Sequence, residues 1–326
     1  MTVGLTTRLL AADTAGIDVA ARTLRDGGLL AFPTETVYGL GADATNAVAV
    51  ARLFAAKGRP SFNPLIAHVR DLADARTLAQ FNDDAMRLSQ FWPGPLTLVL
   101  SRQPGCQVAD LATAGLDTIA VRVPSHPVAQ MLLAKLQRPI VAPSANRSGH
   151  VSPTAAAHVL ADLGGRIDAI LDGGSAPIGV ESTIVACLRP EPLLLRAGGL
   201  PRQEIERALG HPLGSRETAA VESGEAPLAP GMLSSHYAPR TPVRLNATRL
   251  EPGEALLAYG SPLLGAERVL NLSPGGDPVE AAANLFSHLR ALDAAGARAI
   301  AVMPIPSHGL GEAINDRLAR AAAPRN

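Results

Sequence analysis

Short apolar segments alternate with helical patterns over the first two thirds of the chain, and this alternation most restricts the possible fold. The predicted strands are 28–32, 65–69, 96–100, 118–123, 140–143, 169–172, 182–188 and 193–196. Apolar residues spaced three and four apart predict helices over 47–56, 126–137, 153–163 and 201–209. Because no helix separates the last two strands, we expect a twisted mixed sheet rather than a purely parallel one.

One of these segments also carries helix-start signals. Ser152 is the expected N-cap of the helix over 153–163, with Pro153 in its first turn.

A second, shorter α/β pattern follows a stretch rich in Gly, Pro, Ser and Glu. Residues 211–242 lack periodic apolar spacing and are predicted to be a flexible linker. Beyond them come predicted strands over 255–259 and 299–304 and predicted helices over 278–295 and 311–322. The 326 residues are therefore expected to form two domains, 1–210 and 243–326, the second a small Rossmann-like α/β unit.

Charge and composition narrow the classes of function. Lysine plus arginine and aspartate plus glutamate both number 29, so the overall charge attracts no polyanion. Aromatic residues make up 3% of the chain, which disfavours base-stacking platforms for single strands. Cys106 and Cys187 lie far apart and the eight histidines are scattered, which predicts neither a disulfide framework nor a protein-built metal site. With neither an export leader nor an apolar run of about 20 residues, a reducing cytoplasm is expected.

The stretch K-G-R-P-S-F-N-P at 57–64 combines two cations with a sharp turn. Lys57 and Arg59 follow a predicted helix, and Pro60 ends it. Such a stretch is suited to binding an anion. The alternative is an ordinary helix end, in which Gly58 is the C-cap and the cations complement the helix dipole.

Other polar stretches lie at the ends of predicted strands. P-T-E-T-V-Y-G-L-G at 33–41 is expected to be a loop whose glycines let the backbone approach a ligand. R-V-P at 122–124, A-P-S-A-N-R-S-G at 142–149 and E-S-T at 181–183 also adjoin strands. Because open α/β sheets often bind ligands at strand ends, we expect these loops to converge.

Each stretch also has a purely structural alternative. Ser144 and Asn146 fit local turns between side chain and backbone, and His68 on an apolar strand fits a core histidine. Arg122 and Arg196 are harder to explain in that way, because a buried guanidinium needs a partner. Any one of these structural alternatives is plausible by itself, but it is much less plausible that all of them hold at once. The set of residues therefore favours a common polar site.

Together these motifs resemble the YrdC-like threonylcarbamoyl-adenylate synthase family. The stretches above, with N-P-L-I-A-H at 63–68, W-P-G-P-L-T at 92–97 and E-S-T-I-V at 181–185, occur in family order over residues 10–210. S-H-Y-A-P at 235–239 resembles the element that follows the linker in the longer, two-domain members.

The resemblance implies a YrdC-like first domain and a nucleotidyltransferase activity. Such enzymes condense L-threonine, bicarbonate or CO2, and ATP to threonylcarbamoyl-AMP and pyrophosphate, for threonylcarbamoyl-adenosine modification of tRNA. Displacement at phosphorus depends mainly on positioning and cations, which suits the residue types found here.

The resemblance also implies roles for individual residues. Lys57 and Arg59 are the expected catalytic cations that neutralise the triphosphate. The ATP site is expected to comprise these two with Asn63, Thr118, Ser144, Asn146, Ser152, Arg196 and Tyr237. The threonine site is expected to comprise Thr36, His68, Arg122, Ala142 and Ser182.

Three of these roles have a physical reason. The planar fork of Arg122 matches the threonine carboxylate bidentately, and Thr36 or Ser182 is expected to select the substrate hydroxyl over a methyl group. Tyr237, at the end of the linker, is expected to fold over the nucleotide and shield the product from water.

Mg2+ is expected to accompany ATP, and the sequence identifies no carboxylate that must bind it. A tRNA and a downstream threonylcarbamoyl-transferase complex are expected partners, and a membrane is not.

Two other functions stay open. One is a double-stranded-RNA-binding module that uses Lys57, Arg59 and Arg147. The other is a carbamoyl-transfer enzyme, although this sequence lacks the acylphosphatase and zinc-finger segments expected there.

Overall fold

The computed structural model describes residues 5–60, 62–215 and 237–324. In the first part of the chain the strands are β1 (Arg8–Ala11), β2 (Leu30–Phe32), β3 (Gly39–Asp43), β4 (Ile66–His68), β5 (Leu96–Ser101), β6 (Thr118–Arg122), β7 (Ile140–Val141), β8 (Ala169–Asp172), β9 (Thr183–Ala186), β10 (Leu193–Arg196) and β11 (Gly214–Ser215). They form one sheet in the order β1-β8-β2-β3-β7-β4-β6-β5-β9-β10-β11. The sheet contains both parallel pairs, such as β4 with β6, and antiparallel pairs, such as β9 with β10, which confirms the mixed sheet.

Helices cover this sheet. They are α1 (Thr14–Arg25), α2 (Ala47–Lys57), α3 (Leu72–Leu78), α4 (Asp83–Leu88), α5 (Pro127–Leu136), α6 (Ala156–Leu163) and α7 (Arg202–Leu209). Their ends follow local chemistry. Asn46 caps α2 by accepting from the backbone N–H of Val48 and Ala49 at 3.0 and 3.1 Å. None of the helices in the described ranges combines the length and apolarity needed to cross a membrane.

The start of α6 differs from the prediction. The helix begins at Ala156, and its N-cap residue, Ala155, makes no side-chain cap hydrogen bond. Ser152 is not the cap, because its hydroxyl instead donates to Glu181 Oε1 at 2.5 Å. A long-range partner has thus replaced the local one.

The glycine-rich stretch at 33–41 is only partly a loop. From Gly39 onward it is strand β3, paired antiparallel with both β2 and β7. A Cβ on Gly41 would lie 2.8 Å from Ile140 Cγ2 and 2.9 Å from Phe32 Cε1. Gly41 therefore serves close packing inside the sheet rather than approach to a ligand.

The second domain is a small parallel α/β unit, as predicted. Its strands are β12 (Val243–Arg244), β13 (Glu254–Ala258), β14 (Val269–Asn271) and β15 (Ala299–Val302), in the order β12-β15-β13-β14. Each neighbouring pair is parallel. Two helices, α8 (Pro278–Ala294) and α9 (Gly311–Ala322), pack against this sheet.

The two domains pack directly against each other. Val37, Val151 and Val180 of the first domain belong to the same buried cluster as Leu285 and Phe286 of α8. The domain limits at 210 and 243 stay a prediction. Within the predicted linker, 216–236 lies outside the described residues, whereas Gly214–Ser215 forms β11.

The domain contact makes a prediction for Gly179. Its φ is +78°, and a Cβ there would lie 2.2 Å from the carbonyl oxygen of Ala282 and 2.6 Å from Ala283 Cα, both in α8. Gly174 has a similar φ of +82°, but a Cβ there would meet nothing within 4 Å. We expect Gly179→Ala to lower the free energy of unfolding by about 1–3 kcal/mol more than Gly174→Ala. Urea unfolding of both variants measures this, and equal losses would show that the contact is dispensable.

Candidate functional site

A polar cavity lies where strands and loops of the first domain meet Tyr237. It is lined by Thr34, Thr36, Val37, Gly39, Arg59, Ile66, His68, Arg122, Ala142, Pro143, Ser144, Glu181, Ser182, Arg196 and Tyr237. Nine of the predicted site residues therefore share one cavity: Thr36, Arg59, His68, Arg122, Ala142, Ser144, Ser182, Arg196 and Tyr237. The expected convergence of the polar loops is confirmed, while the role of each residue stays a prediction.

The K-G-R-P turn is both a helix cap and a source of inward-facing cations. Gly58, with φ +62°, ends α2, and its N–H and that of Arg59 bond back to Ala55 and Phe54. This turn buries both cations, leaving Lys57 4% and Arg59 9% exposed. Gly58 is thus an ordinary C-cap, and both cationic side chains nevertheless lie in the interior.

Lys57 supports the cavity from behind instead of lining it. Its Nζ donates to the carbonyl oxygens of Ser144 and Asn146. Burial and the nearby Arg59 charge lower the pKa of Lys57 well below its usual value. A buried ammonium needs acceptors, and the loop carbonyls provide them. The expectation that Lys57 faces the triphosphate is thus not what this geometry shows.

Arg59 and Arg196 form the cationic part of the cavity wall. Arg59 donates to the carbonyls of Asn63 and Pro64 at 3.4 and 3.2 Å. Arg196 donates through Nε and Nη2 to the Ser182 carbonyl at 3.1 and 2.9 Å. Burial, with the charge of Arg196, lowers the pKa of Arg59 to about 10. Arg59 consequently still carries its charge near neutral pH.

Arg122 lies at another part of the wall and is held by an acidic partner. Nη2 donates to Glu35 Oε1 at 2.6 Å, and Nε donates to the Gly94 carbonyl at 3.3 Å. Burial would raise the pKa of Glu35, but the Arg122 charge outweighs this and holds it below its usual value. The guanidinium edge formed by Nε and Nη2 is thus occupied. The end edge, formed by Nη1 and Nη2, is the part that a further carboxylate would contact.

A hydrogen bond with Thr34 determines whether the Thr36 hydroxyl donates or accepts hydrogen bonds in the cavity. The Thr34 hydroxyl donates to the Val37 carbonyl at 2.6 Å and lies 2.8 Å from the Thr36 hydroxyl. Because a hydroxyl has one hydrogen, Thr36 must donate to Thr34. The remaining lone pairs of Thr36 then act as acceptors.

His68 is a core histidine that also borders the cavity. Its ring packs edge-on against Phe32 with centroids 6.0 Å apart, and Nδ1 lies 3.1 Å from the Ile66 carbonyl oxygen. Burial, followed by the charge of Arg122, lowers the pKa of His68 to about 3. The imidazole is therefore neutral at physiological pH.

This neutral histidine predicts a pH effect on stability. Its pKa in the folded protein is below the unfolded value of about 6.5, so its contribution is complete above that pH and declines as pH falls towards 3. Between pH 7 and 4.5 we expect the wild type to lose about 2–3 kcal/mol of unfolding free energy more than His68→Gln does. Urea unfolding at the two pH values measures this. Parallel losses in both proteins would mean that His68 titrates normally.

Four other predicted residues do not line the cavity. The Asn63 carbonyl accepts from Arg59, and the Ser152 hydroxyl donates to Glu181. Asn146 donates to the carbonyls of Arg147 and His150, both at 2.8 Å, as in the local turn described by the structural alternative. Thr118 begins β6, whereas Arg122 ends it.

Sequence reasoning missed several residues of the site. Thr34, Glu35 and Glu181 line the cavity or hold its cations, and Arg317 reaches Glu181 from α9. A usable signal existed for Glu35, since a buried arginine requires a partner and this carboxylate follows a strand end. No local pattern signalled Arg317.

Tyr237 connects the cavity with the second domain. Its ring is stacked on Phe286 of α8, with centroids 5.6 Å apart and planes at 23°. The guanidinium of Arg317 lies 5.2 Å from the ring centroid. The side chain is 1% exposed, and burial raises the pKa of its hydroxyl. Tyr237 thus occupies the cavity wall while bound by the second domain.

A mixed-sheet α/β domain with an arginine-lined cavity, flanked by a small parallel α/β domain, defines a two-domain protein of the YrdC-like class. The family model Sua5_yciO_yrdC, described as "Telomere recombination", matches residues 22–198. The model described as "Threonylcarbamoyl-AMP synthase, C-terminal domain" matches residues 200–323.

Individual proteins agree with these matches. The threonylcarbamoyl-AMP synthase of Pyrococcus abyssi is 43% identical over 95% of this chain and 94% of its own length. That of Bacillus subtilis is 40% identical over 94% of this chain and 92% of its own length. The crystal structure of P. abyssi Sua5 complexed with L-threonine superimposes with a TM-score of 0.89 at 40% identity, covering 97% of this chain and 98% of that one. The chain belongs to the threonylcarbamoyl-AMP synthase family, in its two-domain form.

Proposed function

We propose that this enzyme is a nucleotidyltransferase that condenses L-threonine, bicarbonate or CO2, and ATP to threonylcarbamoyl-AMP, with release of pyrophosphate. The observation that carries the proposal is the single cavity in which Arg122 and the pair Arg59 and Arg196 line the same space. Family membership over nearly the whole chain supports it.

The amino acid is proposed to bind beside Arg122. The end edge of this guanidinium donates two parallel hydrogen bonds to the threonine carboxylate, while Glu35 fixes its plane. His68, Ala142, Thr36 and Ser182 border the same space. Because Thr36 offers acceptor lone pairs, it accepts from the substrate hydroxyl and so disfavours valine.

The triphosphate is proposed to face Arg59 and Arg196, with the Ser144 side of the loop beside it. The threonine amine and CO2 form a carbamate, whose oxygen attacks the α-phosphorus while the bond to the pyrophosphate oxygen breaks. Negative charge that grows on the leaving group is stabilised by the two guanidinium groups. Lys57 acts on this step through the loop carbonyls that it holds.

Mg2+ is proposed to enter as part of the ATP substrate, bound by phosphate and water oxygens. Glu181 in the cavity wall and Glu35 beside Arg122 are each engaged by an arginine. Among the described residues, no cluster of three histidine, cysteine or acidic side chains is arranged to hold a metal. The residues present thus suit an ion carried by the nucleotide.

Tyr237 is proposed to cover the nucleotide and keep water from the mixed anhydride product. A tRNA-modifying threonylcarbamoyl-transferase complex is the proposed recipient of this product. The reaction is proposed to occur in the cytoplasm, since the free cysteines Cys106 and Cys187 suit a reducing compartment.

A product assay tests the proposed function. The full chain is incubated with ATP, labelled bicarbonate and either threonine or valine. We expect label in an alkali-labile adenylate and pyrophosphate release with threonine, and little of either with valine. Equal turnover of both amino acids would refute the selection by hydroxyl. A wild-type protein that forms no labelled adenylate, yet binds double-stranded RNA that ATP and threonine fail to displace, would favour the binding-module alternative.

A further inference from the structure

Arg317 is a fully buried cation that the second domain inserts against the first. It lies on α9 and is 0% exposed. Its Nε donates to Glu181 Oε2 at 2.8 Å, its Nη2 donates to the Ala197 carbonyl at 2.9 Å, and its Nη1 pairs with Asp316. A buried guanidinium with three directed partners is costly to assemble, so its placement calls for a functional explanation.

The partner of Arg317 belongs to the cavity. Glu181 lines it and is only 5% exposed. Its Oε1 accepts from Ser152, and the carbonyl oxygen of the next residue, Ser182, accepts from Nε and Nη2 of Arg196. Although burial opposes ionisation, the charges of Arg317 and then Arg196 hold the pKa of Glu181 below its usual value. Glu181 is thus a carboxylate within the electrostatic reach of a cavity arginine.

We propose that Arg317 is a positioning residue that the second domain contributes to the nucleotide end of the cavity. It pairs with the Glu181 carboxylate, so that this negative charge in the cavity wall does not oppose an anionic phosphate. The inference rests on the proposed function, because it assigns the triphosphate to this end of the cavity. Through its contact with the Tyr237 ring, the same guanidinium also steadies the residue proposed to cover the nucleotide.

The charge balance gives this role a specific signature. Without Arg317, the negative charge of Glu181 is offset only in part by Arg196, and it opposes the charge of the phosphates. Arg317→Met is therefore expected to weaken ATP binding on the order of 10- to 100-fold. Threonine, which is proposed to bind at Arg122, is expected to change by less than about threefold. Neutralising Glu181 in Arg317→Met/Glu181→Gln removes the unpaired charge and is expected to restore ATP binding to within about fivefold of wild type.

A second ion pair between the domains provides the matched control. Arg202 of α7 binds Glu312 on the same helix as Arg317, at 2.7 Å, but neither residue lines the cavity. Glu312→Gln removes this pair and is expected to leave ATP and threonine binding unchanged. The control separates loss of an interdomain contact from loss of the Glu181 pairing.

The test is isothermal titration of the full-length variants with ATP and, separately, with threonine, below their unfolding temperatures. Selective loss of ATP binding in Arg317→Met with recovery in the double variant supports the inference. Wild-type ATP affinity in Arg317→Met, or a double variant as weak as the single one, overturns it. If Arg317→Met does not fold, the double variant is the test. The inference stands if that variant folds and binds ATP within fivefold of wild type, and it is overturned otherwise. Product formation by wild type and Glu312→Gln tests the proposed function independently of Arg317.

Discussion

Replacing Arg122 with methionine is expected to reduce the use of threonine by orders of magnitude and to destabilise the fold. Two charge-assisted hydrogen bonds to the substrate carboxylate, worth about 1.5–3 kcal/mol each, would be lost. The kcat/KM for threonine should therefore fall on the order of 10²- to 10⁴-fold. The buried Glu35 would also lose its cation, which is expected to cost about 3–5 kcal/mol of unfolding free energy. Steady-state kinetics and urea unfolding measure the two effects.

Two further variants separate these effects. Arg122→Met/Glu35→Gln removes both charges, so it should recover much of the stability but none of the threonine use. Arg138→Met is the matched control, because Arg138 also binds a buried carboxylate, Asp43 at 2.8 Å, but outside the cavity. Its kcat/KM should stay near that of wild type. Normal threonine kinetics in the double variant would show that Arg122 does not bind the substrate.

Replacing Lys57 with methionine is expected to raise the KM for ATP and to lower stability together. The carbonyls of Ser144 and Asn146 would lose their donor, at about 1–3 kcal/mol for each buried acceptor left unsatisfied. Because Ser144 lines the cavity, displacement of this loop should raise the KM for ATP at least about tenfold. ATP kinetics and urea unfolding of the same preparation measure both quantities.

Lys135 supplies the control for this change. It pairs with Asp18 at 2.6 Å on the surface, with side chains 49% and 40% exposed, and lies outside the cavity. Lys135→Met should leave the KM for ATP unchanged and alter stability by about 1 kcal/mol or less. A Lys57→Met protein with a raised KM but undiminished stability would place Lys57 on the ligand instead of on the loop.

Much of the fold follows from local sequence, and the misses have physical causes. The strand 193–196 and the helix 311–322 were predicted with the observed limits, because the first is a short continuous apolar run and the second has helical apolar spacing. Strand β3 was missed, since Gly39 and Gly41 have low strand propensity; Gly41 is accepted there because its neighbours leave no room for a Cβ. Ser152 carried a valid capping signal, but Glu181 takes its hydroxyl.

The sequence predicted which residue types lie at the strand ends of the site. It did not predict the hydrogen bonds and ion pairs that join them. Arg122, Ser144 and Ser182 lie at strand ends that meet at one cavity. A correct prediction of the fold was enough to bring these three residues together. Lys57 was expected on the surface of that cavity, and its direction depends on carbonyls 87 and 89 positions further along the chain. Arg317 and Glu181 are 136 positions apart and lie in different domains. Pairings of that kind depend on how the domains dock, which no local pattern encodes.

The central claim is that one cavity positions an amino acid against the α-phosphate of a nucleotide. A crystal structure of the full chain with L-threonine and a non-hydrolysable ATP analogue tests it most directly. We predict the threonine carboxylate within hydrogen-bond distance of the Arg122 guanidinium, and phosphate oxygens within the same distance of Arg59 and Arg196. Threonine bound away from Arg122, or a triphosphate that contacts neither of the other two arginines, would contradict the account.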